Sequence, residues 1–163
     1  MGVSGCGKST LAARLAEVMD GRFIEGDDHH APHSIDKMRR GVALNDGDRE
    51  PWLDQLATLM NAHAGTAILS CSALKLNYRM RLRAAVPDLK FVFLDISLRD
   101  SLERVKVRQE HWFPAQLVVA QFAALEAPSG EAGVLCVPAG QSVELGVEAV
   151  ARWIGASACR AGT

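Results

Sequence analysis

Four short apolar or β-branched runs, at residues 22–25, 66–71, 90–96 and 133–137, are separated by stretches of helical periodicity. Strand alternating with helix predicts an α/β fold, a parallel sheet covered by helices on both faces. A glycine-rich segment that runs directly into the first helical stretch supports the same class. No internal repeat or low-complexity tract interrupts the pattern, so the 163 residues and 17.5 kDa read as one domain with a sizeable core.

The first element is a loop followed by a helix. Gly2-Val3-Ser4-Gly5-Cys6-Gly7-Lys8-Ser9 fits G-x-x-x-x-G-K-S/T, the loop that wraps the phosphates of a nucleoside triphosphate with its magnesium ion. Gly2, Gly5 and Gly7 allow backbone angles closed to other residues, so the amides of this segment, through Thr10, can turn toward an anion. Lys8 supplies a charge for the β- and γ-phosphates, the helix N-terminus adds positive potential, and the Ser9 hydroxyl is placed to ligate Mg²⁺. Leu11, Leu15, Val18 and Met19 recur at helical spacing, and Asp20-Gly21 supplies a stop. Such a loop normally hangs from the carboxyl end of a buried strand, yet only Met1 precedes Gly2. The expectation is that the true start lies upstream, because a sheet without its central strand leaves backbone groups unpaired on both neighbours.

After the run at 22–25 comes Glu25-Gly26-Asp27-Asp28-His29-His30, then His33. Loops at the carboxyl ends of parallel strands face the ligand crevice, which puts this acidic cluster near the phosphate loop and makes Asp27 and Glu25 candidates for metal or substrate contact. Asp27, His29 and His33 can also be drawn as a transition-metal site. The plainer alternative is polar loop residues beside a loop that brings its own Mg²⁺.

Residues 44–53 read Leu-Asn-Asp-Gly-Asp-Arg-Glu-Pro-Trp-Leu. A helix over 48–63 is predicted, with Asp48 as N-cap, Pro51 in the first turn, and Trp52, Leu56, Leu59 and Met60 on one face. Capping leaves Arg49 unexplained. A cation is poorly placed in a first turn, so Arg49 is expected to answer an anion such as a substrate carboxylate.

The third block, Ser70-Cys71-Ser72-Ala73-Leu74-Lys75, then Asn77-Tyr78-Arg79, forms a substrate-facing turn at a strand's carboxyl end, with Lys75 its cation. Cys71 reads as packing, and Arg81 and Arg83 as solvated helix surface. Residues 91–95, Phe-Val-Phe-Leu-Asp, have the form of a metal-binding strand of nucleotide hydrolases, but Ile96 stands where a second acid would activate water. That lowers the case for a motor or transporter ATPase, and the absence of N-K-x-D argues against a regulatory GTPase. Asp95 reads as a helix-start residue.

Ser97-x-x-Asp100 has the spacing of a capping box for a helix to about residue 108. Arg104 and Arg108 share a face there, placed to close over a nucleotide, against the alternative of an exposed basic surface. Pro114 opens a helix with Leu117, Gln121 and Leu125; residues 127–133 form a loop; a last helix carries Val143, Val147, Val150 and Ile154.

A net charge of -1 and a pI near 6.5 disfavour a broad nucleic-acid surface. Cys6, Cys71, Cys136 and Cys159 form no C-x-x-C pair and suggest reduced thiols. No run approaches the roughly 18 apolar residues of a membrane span, and no signal-peptide pattern is seen, so a soluble, cytoplasmic location is expected.

Together these blocks resemble the gluconokinase family of small P-loop sugar-acid kinases, related to shikimate kinase. The likeness rests on residues 2–9, on G-D-x-x-H at 26–30, on Lys37-Met38 with Gly41, and on L-N-D-x-D-R-x-P-W-L at 44–53. It continues through C-S-A-L-K-x-x-Y-R at 71–79, R-x-x-x-R-x-x-H-x-F at 104–113, and Gln121-Phe122 with Leu125-Glu126. The resemblance implies a three-layer α/β/α kinase domain with a small lid around 104–115, a possible homodimer, and transfer of phosphate from ATP to D-gluconate. It also implies roles: the amides of 2–10 and Lys8 for ATP, Ser9 and, through water, Glu25 for Mg²⁺, and Asp27 to orient the acceptor hydroxyl and take its proton. His30, Arg49, Lys75 and Arg79 would bind the sugar acid, and Arg104 and Arg108 would act from the lid. Three departures stand out: the first strand is absent, Glu110 replaces the glycine usual before the lid histidine, and Pro138-Ala139-Gly140 replaces a more acidic stretch. The rivals are a shikimate- or nucleotide-directed kinase, a nucleotide-binding protein without catalysis, and a hydrolytic ATPase.

Overall fold

The computed structural model describes residues 1–107 and 114–161, the side chains of 157–161 excepted. Helix α1 (Lys8–Val18) leaves the phosphate loop and is followed by β1 (Arg22–Glu25), a 3-10 turn (Gly26–His29), α2 (Pro32–Arg39) and α3 (Asp46–Asn61). Then come β2 (Ala67–Ser70), α4 (Leu76–Ala85), β3 (Phe91–Asp95), α5 (Leu98–Val107), α6 (Ala115–Ala124), β4 (Val134–Pro138) and α7 (Val143–Ala161). All four expected strands form, and their pairs are parallel: β1 with β2, from Arg22↔Ala67 to Glu25↔Ser70, and β3 with β4, from Phe91↔Val134 to Asp95↔Pro138.

Strand alternation divides the interior into two cores. Ile68, Val92 and Leu135 face one side, packing with Leu11, Leu15, Val147 and Val150 of α1 and α7. Leu69, Phe91 and Val134 belong to the other, with Trp52, Leu53, Leu56, Tyr78 and Leu82 of α3 and α4. Leu53 and Leu56 are wholly buried, so this face of α3 anchors the segment that carries Arg49.

The two strand pairs do not join. Between β2 and β3 lies a cavity of about 330 Å³, walled by apolar side chains such as Leu11, Leu15, Ile68, Val92 and Ile154. Met1 is seated at one end of it: its amine donates to Val92 O, its carbonyl accepts from Leu94 N at 3.0 Å, and Gly2 N donates to Ser72 O at 3.1 Å. These are the bonds of one strand residue inserted between β2 and β3.

Two helix assignments need correction. Helix α3 starts before Asp48: Asn45 is the N-cap and Asp48 closes a capping box, with Asp48 N donating to Asn45 Oδ1 at 2.9 Å and Asn45 N to Asp48 Oδ2 at 3.0 Å. Helix α2 was not expected, since it lacks an apolar stripe; only Ser34 is buried, and Pro32 fixes its first turn.

Candidate active site

The phosphate loop takes the conformation its glycines permit. Gly2, Gly5 and Gly7 have φ of 140°, 79° and 95°, and a Cβ on Gly5 would lie 2.9 Å from Ser101 O. Helix α5 is thus pressed against the loop, and the fully buried Ser101 donates its hydroxyl to Ser4 O at 2.7 Å. From the other side, Ser4 N donates to Gln121 Oε1 on α6, also at 2.7 Å. Lys8 curls over the loop, its Nζ donating to Val3 O at 3.1 Å. Ser9 Oγ is 3.4 Å from Ser70 Oγ, and Ser70 is the register partner of Glu25. Ser9, Ser70 and Glu25 therefore gather at the carboxyl ends of β1 and β2. Cys6 and Val3 are buried in the core beneath, so these two positions offer the loop only their backbone.

The turn after β1 is closely fitted. A Cβ on Gly26 would meet Ser70 O at 2.4 Å, and Trp52 Nε1 donates to Gly26 O at 2.8 Å. Asp27 is held by its backbone, Asp27 N donating to Glu25 Oε1 at 3.4 Å, while its carboxylate is 73% exposed. His30 departs from its expected place at the substrate: it is buried, stacked on Trp52 with centroids 4.2 Å apart and planes 14° from parallel. Its Nε2 lies 3.8 Å from Asp27 Oδ1. Burial pushes its pKa down to about 4, so the ring is neutral at neutral pH. His33 Nε2 turns toward Asp48 Oδ1, 3.7 Å away. Among the described residues no three His, Cys, Asp or Glu side chains gather as a metal site.

A second cavity, of about 250 Å³, is lined by Asn45, Asp46, Arg49, Lys75, Tyr78 and Gln121, among others. Lys75 Nζ is 2.6 Å from Asp46 Oδ1, and the Tyr78 hydroxyl donates to the same oxygen. The Lys75 hydrogen bond, then that of Tyr78, hold the Asp46 carboxyl below the usual carboxylate range. The Arg49 guanidinium lies over the Tyr78 ring, 5.9 Å from its centre, and has no ion pair among the described residues. Arg79, expected at the substrate, is buried instead: it donates to both Glu131 oxygens and, at 3.1 and 3.0 Å, to the carbonyls of Ala73 and Leu74. A guanidinium taken out of water is costly unless its donors are occupied, and these partners engage all three of its nitrogens and lock the turn after β2.

Cys71 matches its reading as packing, buried with its thiol pushed up to about 11 by desolvation. Arg81, read as solvated surface, pairs with Asp54 on α3 at 2.6 Å. On the far side of the phosphate loop, Arg104 Nη2 donates to Ala139 O at 2.9 Å across a cavity of about 230 Å³ that also borders Gly7, Thr10 and Gln141. Asp95 ends β3 with its side chain exposed. Arg108 and the middle of the expected lid, residues 108–113, lie outside the described residues.

Asp46, Tyr78 and Gln121 were not singled out by sequence as site residues. The acid three positions before Arg49 and the Lys75-x-x-Tyr78 spacing at a helix start carried the signal for the first two. Nothing local to Gln121 announces its reach to Ser4, 117 positions away.

Residues 1–128 match a family model described as an AAA domain. The chain is 42% identical over 141 residues to a gluconokinase of Gluconobacter oxydans (strain 621H), covering 84% of this chain and 79% of that one. The crystal structure of a gluconokinase from Sinorhizobium meliloti 1021 superposes with a TM-score of 0.83 at 38% identity, covering 96% and 94% of the two chains. Shikimate kinase from Aquifex aeolicus, 16% identical over 97% of this chain and 95% of its own, shares the fold with a TM-score of 0.65. Phosphate loop, parallel strands and these likenesses agree: the chain has the P-loop kinase fold and belongs to the gluconokinase family.

Proposed function

We propose that this chain is a gluconokinase, a single kinase domain over residues 1–163 that transfers the γ-phosphoryl group of ATP to the primary hydroxyl of D-gluconate. The observation that carries this reading is the charge pattern of the cavity beside the phosphate loop. Lys75 is balanced by Asp46, Arg79 is withdrawn into the interior, and Arg49 is left as the cation for a carboxylate. Hydroxyl, amide and carboxylate groups of Tyr78, Asn45, Gln121 and Asp46 suit the polyol that such an acid carries.

The residues fit ATP and magnesium. Left-handed glycines, the start of α1 and Lys8 form a cradle for phosphates, and Ser9 with Glu25 would hold the metal, the latter through water. When bound, the ion neutralises charge on the β- and γ-phosphate oxygens. Asp27, exposed beside the loop, orients the acceptor hydroxyl. As the hydroxyl oxygen bonds to the γ-phosphorus and the bond to the β-phosphate oxygen breaks, its proton passes to the Asp27 carboxylate. His30, neutral and fixed on Trp52, walls the turn beside that carboxylate, 3.8 Å from it. Lys8 and the loop amides balance the developing charge, with Arg104 at the nucleotide's outer side; the family resemblance gives Arg108 the same task.

The test is ADP release by the purified chain with MgATP, with and without D-gluconate, beside shikimate and a panel of nucleosides. Gluconate-dependent release is expected; release with another acceptor alone would replace the substrate. The split sheet favours a second reading, nucleotide binding without transfer, and MgATP binding with no turnover on any acceptor would establish it.

A further inference from the structure

Gln121 touches both halves of the site. Its Oε1 accepts from Ser4 N at 2.7 Å, and it also lines the cavity that holds Arg49, Lys75 and Tyr78. A backbone N–H can only donate, so the amide orientation is dictated: Oε1 faces the loop and the Nε2 amino group faces away from it. No described residue accepts from Nε2. The helix that carries Gln121 is itself fixed at its C-terminal end, where Glu126 N donates to Leu74 O at 3.0 Å and the Glu126 carboxylate accepts from Leu76 N at 2.5 Å. Ser4 is also held from the opposite side by Ser101, so the loop is clamped between α5 and α6 at one residue. Such a clamp stiffens the phosphate loop, and only the α6 arm has a free donor on the acceptor cavity.

Resting on the gluconokinase reading, we propose that Gln121 is a positioning and specificity residue that couples the acceptor cavity to the phosphate loop. Its Nε2 donates to the acceptor, a hydroxyl or carboxylate oxygen of the sugar acid, while its Oε1 sets the loop that presents the γ-phosphate. An acceptor seated against Nε2 is thereby held in register with the phosphoryl group through one planar amide. A role confined to loop architecture would predict an effect on nucleotide binding and thermal stability and none on the acceptor's KM.

Two variants separate these roles. Gln121→Glu keeps an acceptor for Ser4 N and loses the donor, facing the anionic substrate with a charge. Gln121→Met is neutral, of similar length, and loses both bonds. With D-gluconate as the varied substrate, KM should rise more than about tenfold in Gln121→Glu and about three- to tenfold in Gln121→Met, the loss of one neutral hydrogen bond. Tm should stay within about 2 °C of wild type in Gln121→Glu, and its gluconate KM should rise by a larger factor than its MgATP Kd. Unchanged gluconate KM in both variants overturns the inference, and so does a rise in the glutamate variant alone, which charge repulsion would explain. Wild-type protein without gluconate-dependent turnover overturns the gluconokinase reading itself and this inference with it; turnover by wild type with an unmoved KM in the variants overturns the inference only.

Discussion

Lys75 Nζ lies 2.6 Å from Asp46 Oδ1, and the Tyr78 hydroxyl donates to that same oxygen. The pair removes Lys75 from the cations available to a substrate carboxylate and holds the ring over which Arg49 rests. Arg49→Ala should therefore raise the gluconate KM by about 10- to 150-fold, the loss of a charged hydrogen bond worth about 1.5–3 kcal/mol. Lys75→Met should raise it by less than Arg49→Ala does. Steady-state kinetics on both variants decide this, and a larger effect at Lys75 would transfer the carboxylate to it.

Asp27 and Lys8 should separate chemistry from binding. Asp27 is held through its backbone by Glu25 and has an exposed carboxylate, so Asp27→Asn should lower kcat at least about a hundredfold, the range of a lost general base, with MgATP Kd little changed. Lys8 belongs to the phosphate cradle, and Lys8→Ala should damage both quantities. Calorimetric titration of MgATP beside turnover measurements gives the comparison; full activity in Asp27→Asn would remove that residue from proton transfer.

Strands and the phosphate loop were legible in sequence because each is written in local terms: β-branched runs of about five residues, and glycines at fixed spacing. The start of α3 was read at Asp48 instead of Asn45 because both residues cap well, and the reciprocal bond between them leaves a choice that only the backbone makes. Helix α2 has no buried apolar stripe, so periodicity is silent about it. Arginines misled in another way. Arg49 and Arg79 look alike in sequence, and what sends one to the cavity and the other inward is Glu131, 52 positions beyond Arg79.

Arg79 is the buried cation most exposed to a stability test. Removing it in Arg79→Ala leaves Glu131 with Arg83 alone and strands the carbonyls of Ala73 and Leu74. Breaking such a pair costs about 3–5 kcal/mol, or a fall in Tm of about 6–20 °C for a chain of this length. Thermal melts of Arg79→Ala should show it, whereas Arg81→Ala, with an exposed pair, should move Tm by no more than about 4 °C. A fall as large in Arg81→Ala would mean that the two ion pairs had been ranked wrongly.

The Met1 amine donates to Val92 O inside the gap between β2 and β3, and burial lowers its pKa from 8.0 to about 6. Unfolding restores the higher value, so between pH 6 and 8 the unfolded chain binds more protons than the folded one. Stability from this group is therefore fully present above pH 8, falls as pH drops toward 6, and amounts to about 2–3 kcal/mol across the window. Joining a segment of four apolar β-branched residues to Met1 converts the amine into an amide that donates to the same carbonyl without carrying charge. The same segment would run between Ile68 and Val92, filling the apolar cavity and pairing the facing edges of β2 and β3. Denaturant unfolding at pH 6, 7 and 8 should show a higher midpoint for the extended chain and the loss of this group's contribution to the pH slope. Equal midpoints and equal slopes in the two chains would mean that the gap does not accept a strand.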